Sequence, residues 1–272
     1  MLKSIIHNKM SAVGLTIVII IVAIGILSPF IITHDPMKMD LYNVASPASQ
    51  EHMWGTDELG RDIFSRVISG TRTSLIIAIV VVGIGTILGT LIGAVCGYLG
   101  GLVDNVVMKG MDILMAFPTI LLALFFVTVF GTGLYSAIIG VGLSSVPRFA
   151  RLVRGSVMSI KEKEYIEAQR AAGEQKISIL FRHILPNCIG PIIVQATLTM
   201  GNSIITVAGL GFLGLGADPG VPEWGAMLSD ARSYLSSEPS ICIYPGIAIA
   251  IAVLGFNLLG DGLRDVLDVR QG

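Results

Sequence analysis

The sequence has little charge, and this scarcity excludes most soluble folds. Asp, Glu, Lys and Arg make up 14% of its 272 residues, whereas 53% are hydrophobic and the mean hydropathy is +0.79. Soluble domains usually carry about a quarter charged residues. The net charge of −1 gives no indication of a nucleic-acid partner, and we expect none.

Cysteine is also scarce, and so are the usual signs of catalysis. The three cysteines, Cys96, Cys188 and Cys242, lie far apart and form no CxxC or Cys/His cluster. Neither a disulfide framework nor a zinc site is indicated, and we interpret them as small packing residues. The sequence has no GxxxxGK[ST] phosphate loop and no nucleophile–base constellation. We therefore predict a chain that is not an enzyme, with no catalytic residue, metal or cofactor of its own.

What the sequence has instead is a series of long uncharged runs. A bilayer core of about 30 Å needs roughly 20 apolar residues per helix, and backbone groups in lipid must be satisfied within the helix. We predict an all-α integral membrane protein with six transmembrane helices, at about residues 11–32, 74–97, 111–130, 134–153, 188–208 and 241–260. A surface helix over 58–71 is predicted to lead into the second span.

The distribution of Lys and Arg predicts the orientation of these spans. With the N-terminus inside, most of the basic residues fall on the inner side, as is typical of cytoplasmic loops. Both termini are therefore predicted to be cytoplasmic, as is the loop 161–186. Within this loop, a first helix is predicted to end at Gly173, because glycine permits a left-handed residue there. A second short helix is predicted at about 175–183.

Glycine recurs every four residues in the second span, at Gly85, Gly89, Gly93 and Gly97. These positions share one helix face, which allows another helix to approach closely. We interpret this face as a packing surface, and a sliding or gating surface is the alternative.

The fifth span carries a polar stripe along an otherwise apolar helix. Its members are Gln195, Thr199, Asn202 and Thr206. Polar groups in lipid are costly unless they face protein or water, so the stripe either lines a translocation pathway or makes interhelical hydrogen bonds. No Asp, Glu or Lys lies mid-span and no pair of broken helices is evident, although Pro118 and Pro245 can kink spans three and six. These absences disfavour a proton- or sodium-coupled carrier.

The outer side is predicted to hold two functional segments. The segment 217–240 contains Asp218 and Trp224, and a short helix is expected around 223–235. We predict that these two residues form an outer gate or contact a binding protein, and an interfacial anchor is the alternative for Trp224. Asp57, Arg61 and Asp62 are spaced to pair locally or with a partner subunit.

The cytoplasmic loop resembles the EAA loop of binding-protein-dependent ABC importer permeases. The residues that carry this resemblance are Glu167, Ala168, Gln169, Gly173, Leu185 and Pro186. Gln169 replaces the second Ala of the pattern, and His183 stands where the pattern has Ile. The stretches 55–75, 97–118, 209–232 and 257–268 resemble the dipeptide/oligopeptide/nickel branch of that family.

The resemblance implies a type I ABC importer permease (MetI-like) fold in the bacterial cytoplasmic membrane, with this chain as half of the translocation pathway. The implied partners, besides the lipid bilayer, are a homologous second permease, two ATPase subunits that bind ATP and Mg²⁺, and an extracytoplasmic solute-binding protein. The residues implied to couple to the ATPases are Glu167, Ala168, Gln169, Ala172 and Gly173.

Di- or oligopeptides are the expected solute of this importer. A nickel or metal-chelate (metallophore) importer is the alternative within the family, and an autonomous channel or secondary carrier is the alternative from another class. We divide the chain into 1–73, comprising the tail, first span and outer loop with its surface helix, and 74–272, the permease domain with its coupling loop 161–186.

Overall fold

The computed structural model describes residues 9–218 and 220–268, and the regular elements of this part are helices. Residues 1–8 and 269–272, which hold both termini, lie outside the described residues. The helices are α1 (Lys9–Ile31), α2 (Ile63–Leu99), α3 (Gly101–Met115), α4 (Thr119–Phe130), α5 (Leu134–Lys161), α6 (Glu164–Ala171), α7 (Lys176–Phe212), α8 (Trp224–Asp230) and α9 (Ser240–Asp268).

Within the described residues, five helices are long and apolar enough to cross a bilayer, namely α1, α2, α5, α7 and α9. The sixth candidate is a bent pair, because α3 and α4 meet at an angle of 100°. The kink predicted at Pro118 in the third span, 111–130, is therefore confirmed, but it is large enough to break the span, which the expectation of no broken helices did not foresee. Pro118 accounts for the break, since it has no N–H to donate and its ring disfavours a helical residue before it.

Several other helices extend beyond the apolar runs that predicted them. The helix predicted over 58–71 does lead into the second span, but it begins at Ile63 as the first turns of α2, and its burial shows that the prediction of a surface position is wrong. Asp62 fixes this start, because its carboxylate accepts a hydrogen bond from the Ser65 amide at 2.8 Å. The predicted domain boundary between residues 73 and 74 lies inside α2, and the division into two domains stays a prediction.

The helices α2 and α5 pack closely along the glycine face. A Cβ at Gly89 would collide with Phe149, and a Cβ at Gly93 would collide with the carbonyl group of Ala150. Only glycine at these positions lets the two backbones come this close. The interpretation of the glycine face as a packing surface is confirmed.

Two buried clusters fix the ends of the helical bundle. At one end, Trp224 and Met227 of α8 pack against Ile63 and Val67 of α2. At the other end, α6 and the start of α7 pack onto α5 through side chains without exposed surface: Val153, Val157, Ile166, Ile179 and Ile184. Burial of such side chains contributes roughly 1.5–3 kcal/mol each where water is the alternative.

Substituting leucine for Gly89 tests the contact between α2 and α5. The new side chain would overlap Phe149, and overpacking a tight contact costs about 1–3 kcal/mol. We expect Gly89→Leu to lower the thermal midpoint of the full chain in detergent. Gly83→Leu is the matched control, because a Cβ at Gly83 meets no atom within 4 Å. Equal midpoints for the two variants would contradict close packing.

Candidate functional site

The first half of the loop 161–186, which is predicted to be cytoplasmic, is a short helix that ends at a left-handed glycine. The Glu174 amide donates to the Gln169 carbonyl at 3.1 Å, and the Gly173 amide donates to the Arg170 carbonyl at 3.0 Å. These two bonds make a Schellman motif. Gly173 has φ +81°, which glycine adopts readily because it has no Cβ. The prediction that Gly173 ends the first helix is confirmed.

The second half of the loop is the beginning of α7. The prediction of a separate helix over about 175–183 is therefore wrong. A π-helical turn, Ile179–Ile184, lies just before Pro186, and the Leu185 amide bonds to the Leu180 carbonyl. Proline removes a backbone donor and crowds the preceding turn, and a wider π turn accommodates it without ending the helix. The loop and the fifth span thus share one continuous helix.

The loop is anchored on one side and exposed on the other. Ile166 is fully buried against the end of α5, and Gln169 is half-buried. The other predicted coupling residues are exposed: Glu167, Ala168, Ala172 and Gly173. Ile177 and Phe181 extend this surface, with 60% and 54% of their area exposed. An exposed patch of small and apolar side chains is typical of a protein-docking site.

His183, which stands where the family pattern has Ile, makes a polar contact within the loop. Its Nε2 lies 3.0 Å from Glu174 Oε2, and the Ser178 hydroxyl donates to the other oxygen of Glu174. The hydrogen bond from Ser178, with the nearby His183, holds the pKa of Glu174 below its usual range. This departure from the pattern therefore supplies a polar contact between the two halves of the loop.

A cleft opens where the break between α3 and α4 faces α5 and α7. Three members of the polar stripe line it, namely Thr199, Asn202 and Thr206. Gln195 lies beyond this lining and donates through Nε2 to Thr199 Oγ1 at 3.1 Å. The stripe thus combines a hydrogen bond within α7 with an open polar wall, and its role as a pathway lining stays a prediction.

Three arginines follow one another at three-residue intervals on α5, and two of them are paired with α3. Arg154 donates from Nη2 to Asp104 Oδ2 at 2.6 Å and from Nε to the other oxygen of this carboxylate. Arg151 pairs with Asp112. These ion pairs tie the first arm of the broken span to α5.

Arg148 is the third arginine of this row, and it lines the cleft. Among the described residues it makes no ion pair. The fourth span was predicted over 134–153, which includes Arg148, and α5 continues beyond this range to Lys161. The three-residue spacing of these arginines in the sequence indicates a shared helix face. Two of the three pair with aspartates of α3. Among the described residues, Arg148 is therefore the member of this row that has no carboxylate partner.

A buried charge cluster fixes the segment 32–62 between α1 and α2, which is predicted to lie outside and is called the outer segment below. Arg61 and Arg66 are each 1% exposed. Arg61 Nε donates to Asp57 Oδ2 at 2.6 Å, and Arg66 Nε lies 3.1 Å from the same oxygen. Glu58 and Asp230 complete the cluster, and burial raises the pKa of both carboxyl groups. The predicted local pairing of Asp57 with Arg61 is confirmed.

Trp224 is buried beneath the outer segment and leaves 1% of its surface exposed. Its indole Nε1 donates to the Val67 carbonyl at 3.1 Å. α8 packs the ring onto α2, and the role of Trp224 as an outer gate, a binding-protein contact or an interfacial anchor stays a prediction. Glu223 caps α8 by accepting from the amides of Gly225 and Ala226, and burial raises the pKa of Glu223. Asp218 is exposed, and its contact role stays a prediction.

Family comparisons agree with this arrangement of helices and loop. Residues 89–272 match the model of the binding-protein-dependent transport system inner membrane component. Residues 1–48 match the N-terminal transmembrane domain of oligopeptide transport permease C. The chain therefore belongs to the binding-protein-dependent ABC importer permeases, in the dipeptide/oligopeptide branch. This family works with ATPase and binding-protein partners, and the chain is a transport permease subunit rather than an enzyme.

Individual relatives cover nearly the whole chain. It is 44% identical to the dipeptide transport system permease protein DppC of Alkalihalophilus pseudofirmus, over 99% of this chain and 88% of that protein. It is 46% identical to the glutathione transport system permease protein GsiD of Escherichia coli, over 97% and 87%. A structure of the inward-facing MetNI methionine ABC transporter aligns with a TM-score of 0.61 at 21% identity, over 80% of this chain and 99% of that chain. This likeness shows the MetI-like fold.

Substitutions at Gly173 test the link between the loop and transport. Proline fixes φ near −65°, so Gly173→Pro cannot keep the left-handed turn and should reorient the exposed loop surface. We expect ATP-driven uptake by the assembled complex to fall several-fold, while ATP hydrolysis continues and the amount of inserted chain is unchanged. Gly173→Asn is the matched control, because asparagine tolerates the left-handed region. Wild-type uptake in the proline variant would contradict a coupling role.

Proposed function

We propose that this chain forms half of the translocation pathway of an ATP-driven importer of di- and oligopeptides. It would lie in a bacterial cytoplasmic membrane with both termini inside. A homologous second permease would complete the pathway, and a solute-binding protein would deliver the solute from outside. Two ATPase subunits would bind ATP and Mg²⁺ and dock on the loop 161–186. Support for the peptide class comes from relatives named for dipeptide and glutathione transport, since glutathione is itself a small peptide.

The course of α7 supports the coupling part of this proposal. This helix has 37 residues, which corresponds to a length of about 55 Å. Its first turns expose Ile177 in the loop, and its later turns carry Asn202 and Thr206 in the cleft. Closure of the ATPases around the loop would therefore displace cleft residues on the same rigid element, which is how packed helices convert partner motion into rocking.

Arg148 is the observation that favours peptides over metal ions. Every peptide with a free C-terminus carries a carboxylate, and a guanidinium that has no other partner can bind it through two parallel hydrogen bonds. A bare divalent cation would be repelled by the same charge. None of the described residues that line the cleft is Asp, Glu, His or Cys. The cleft thus offers no ligand set for Ni²⁺, and the polar groups beside Arg148 suit a peptide backbone.

Uptake by the whole complex distinguishes the two substrate classes. This chain, its sister permease, the ATPases and the binding protein would be reconstituted in proteoliposomes and supplied with labelled dipeptide or labelled Ni²⁺. We expect ATP-dependent accumulation of the dipeptide, unaffected by excess Ni²⁺. Accumulation of Ni²⁺ without any uptake of dipeptide would refute the peptide assignment and favour the metal alternative.

Neutralising Arg148 tests its predicted contact with the peptide. Hydrogen bonds to charged groups contribute about 1.5–3 kcal/mol, so Arg148→Gln should lower dipeptide uptake about 10-fold or more. Arg148→Lys keeps the charge but loses the two parallel hydrogen bonds, so it should lower uptake by less than Arg148→Gln does. The loss should be smaller for a C-terminally amidated dipeptide that the binding protein still binds. Lys109→Gln is the control, because Lys109 is an exposed cation that does not line the cleft. An equal loss for free and amidated peptides would argue against a carboxylate contact.

A further inference from the structure

Two histidines from separate stretches of the outer segment lie side by side. His34 follows α1, and His52 precedes α2. Their ring centroids are 4.7 Å apart, and the ring planes differ by 38°. Glu51 joins them, and one potential ligand atom from each of the three residues lies within 4.8 Å of the others. Ligand atoms that each bind a tetrahedral ion at about 2.0–2.2 Å lie about 3.3–3.6 Å apart, so small side-chain rotations would be needed to bring the three atoms onto one ion.

Each imidazole already has a hydrogen-bond partner on one nitrogen. His52 Nδ1 lies 2.9 Å from Oδ1 of the buried Asp62, and His34 Nδ1 lies 3.0 Å from Thr33 Oγ1. Histidines that bind metals commonly use one nitrogen as ligand while the other donates to a carboxylate or another oxygen. The arrangement of Asp62 and His52 has this form and leaves His52 Nε2 as the ligand atom.

The carboxylate of Asp62 is itself held in place. Its second oxygen, Oδ2, accepts the amide of Ser65 at the start of α2 at 2.8 Å, and the Ser65 hydroxyl accepts the amide of His34 at 3.0 Å. The two histidines are thus connected through one helix cap. A ligand pair with fixed supporting groups loses little freedom when a metal binds, which favours affinity.

We propose that His34, Glu51 and His52 bind a divalent transition-metal ion of the Zn²⁺ or Ni²⁺ class on the outer side of the chain. Imidazole ligands suit these metals, whereas Mg²⁺ and Ca²⁺ prefer oxygen ligands throughout. Three protein ligands leave a fourth position for water. Glu51 is exposed and both histidines are half-buried, so the ion can enter from solution.

The bound ion would cross-link the stretch after α1 to the stretch before α2. The same region meets the buried charge cluster, because the Pro36 carbonyl accepts a hydrogen bond from Arg66 Nη1 at 3.1 Å. This cross-link would therefore reduce the motion of the outer segment, against which α8 and its loop pack. None of the three ligands lines the cleft, so the site is independent of the proposed peptide pathway.

Metal binding by the full chain, purified without a histidine tag, tests the site. Zn²⁺ would be titrated in competition with a chromophoric chelator, and Co²⁺ would report ligand geometry through its visible absorption. We expect one Zn²⁺ per chain. Loss of an outer-shell carboxylate typically weakens binding about 10–100-fold, and we expect this from Asp62→Asn, which keeps a good helix cap. His34→Gln and His52→Gln should weaken binding at least as much and alter the Co²⁺ spectrum.

His183→Gln is the matched control, because His183 lies in the cytoplasmic loop with Glu174 as its partner. It should leave both the Zn²⁺ affinity and the Co²⁺ spectrum unchanged. The proposal is overturned if the chain binds no stoichiometric Zn²⁺. It is also overturned if His34→Gln and His52→Gln bind Zn²⁺ as tightly as the unmodified chain while their thermal midpoints match it.

Discussion

The close packing of α2 against α5 is the contact on which the other features of this chain depend. Gly89 and Gly93 leave no room for a side chain at this interface, so the two backbones lie as near as helices can. With α5 held in this way, its arginines reach the aspartates of α3, and the broken span is fixed beside α7. The cleft is the space left between the break and these two helices.

The second organising feature is the continuity of α7 from the coupling loop to the cleft. A loop joined to the membrane by a flexible linker would move without moving the pathway. Here the π-helical turn at Ile179–Ile184 carries the helix past Pro186, while Ile166 and Ile184 anchor the loop on α5. The exposed loop surface and the polar wall of the cleft therefore belong to one element, which is the arrangement that the proposed coupling requires.

Much of this arrangement was predictable from the sequence, because it depends on local patterns. Helix geometry places the glycines of the second span on one face and the polar residues of the fifth span on another. It also predicts that the first loop helix ends at Gly173. What could not be predicted depends on contacts between distant residues. The burial of Trp224 against α2 and the meeting of His34 with His52 are set by tertiary packing. The kink at Pro118 was predictable, but its size of 100° was not. The predicted span 134–153 includes Arg148, but its place in the cleft depends on the position of the break between α3 and α4.

Distances between spin labels in the reconstituted complex test most directly whether α7 moves as a rigid element. Labels at Ile177 and Ile205, which are exposed near opposite ends of α7, report on the helix itself. A third label at the exposed Ile87 reports on α2. On ATP binding with the binding protein present, the distance between residues 177 and 205 should stay constant while the distance between 177 and 87 changes. A change between 177 and 205, with the distance between 177 and 87 constant, would contradict the account.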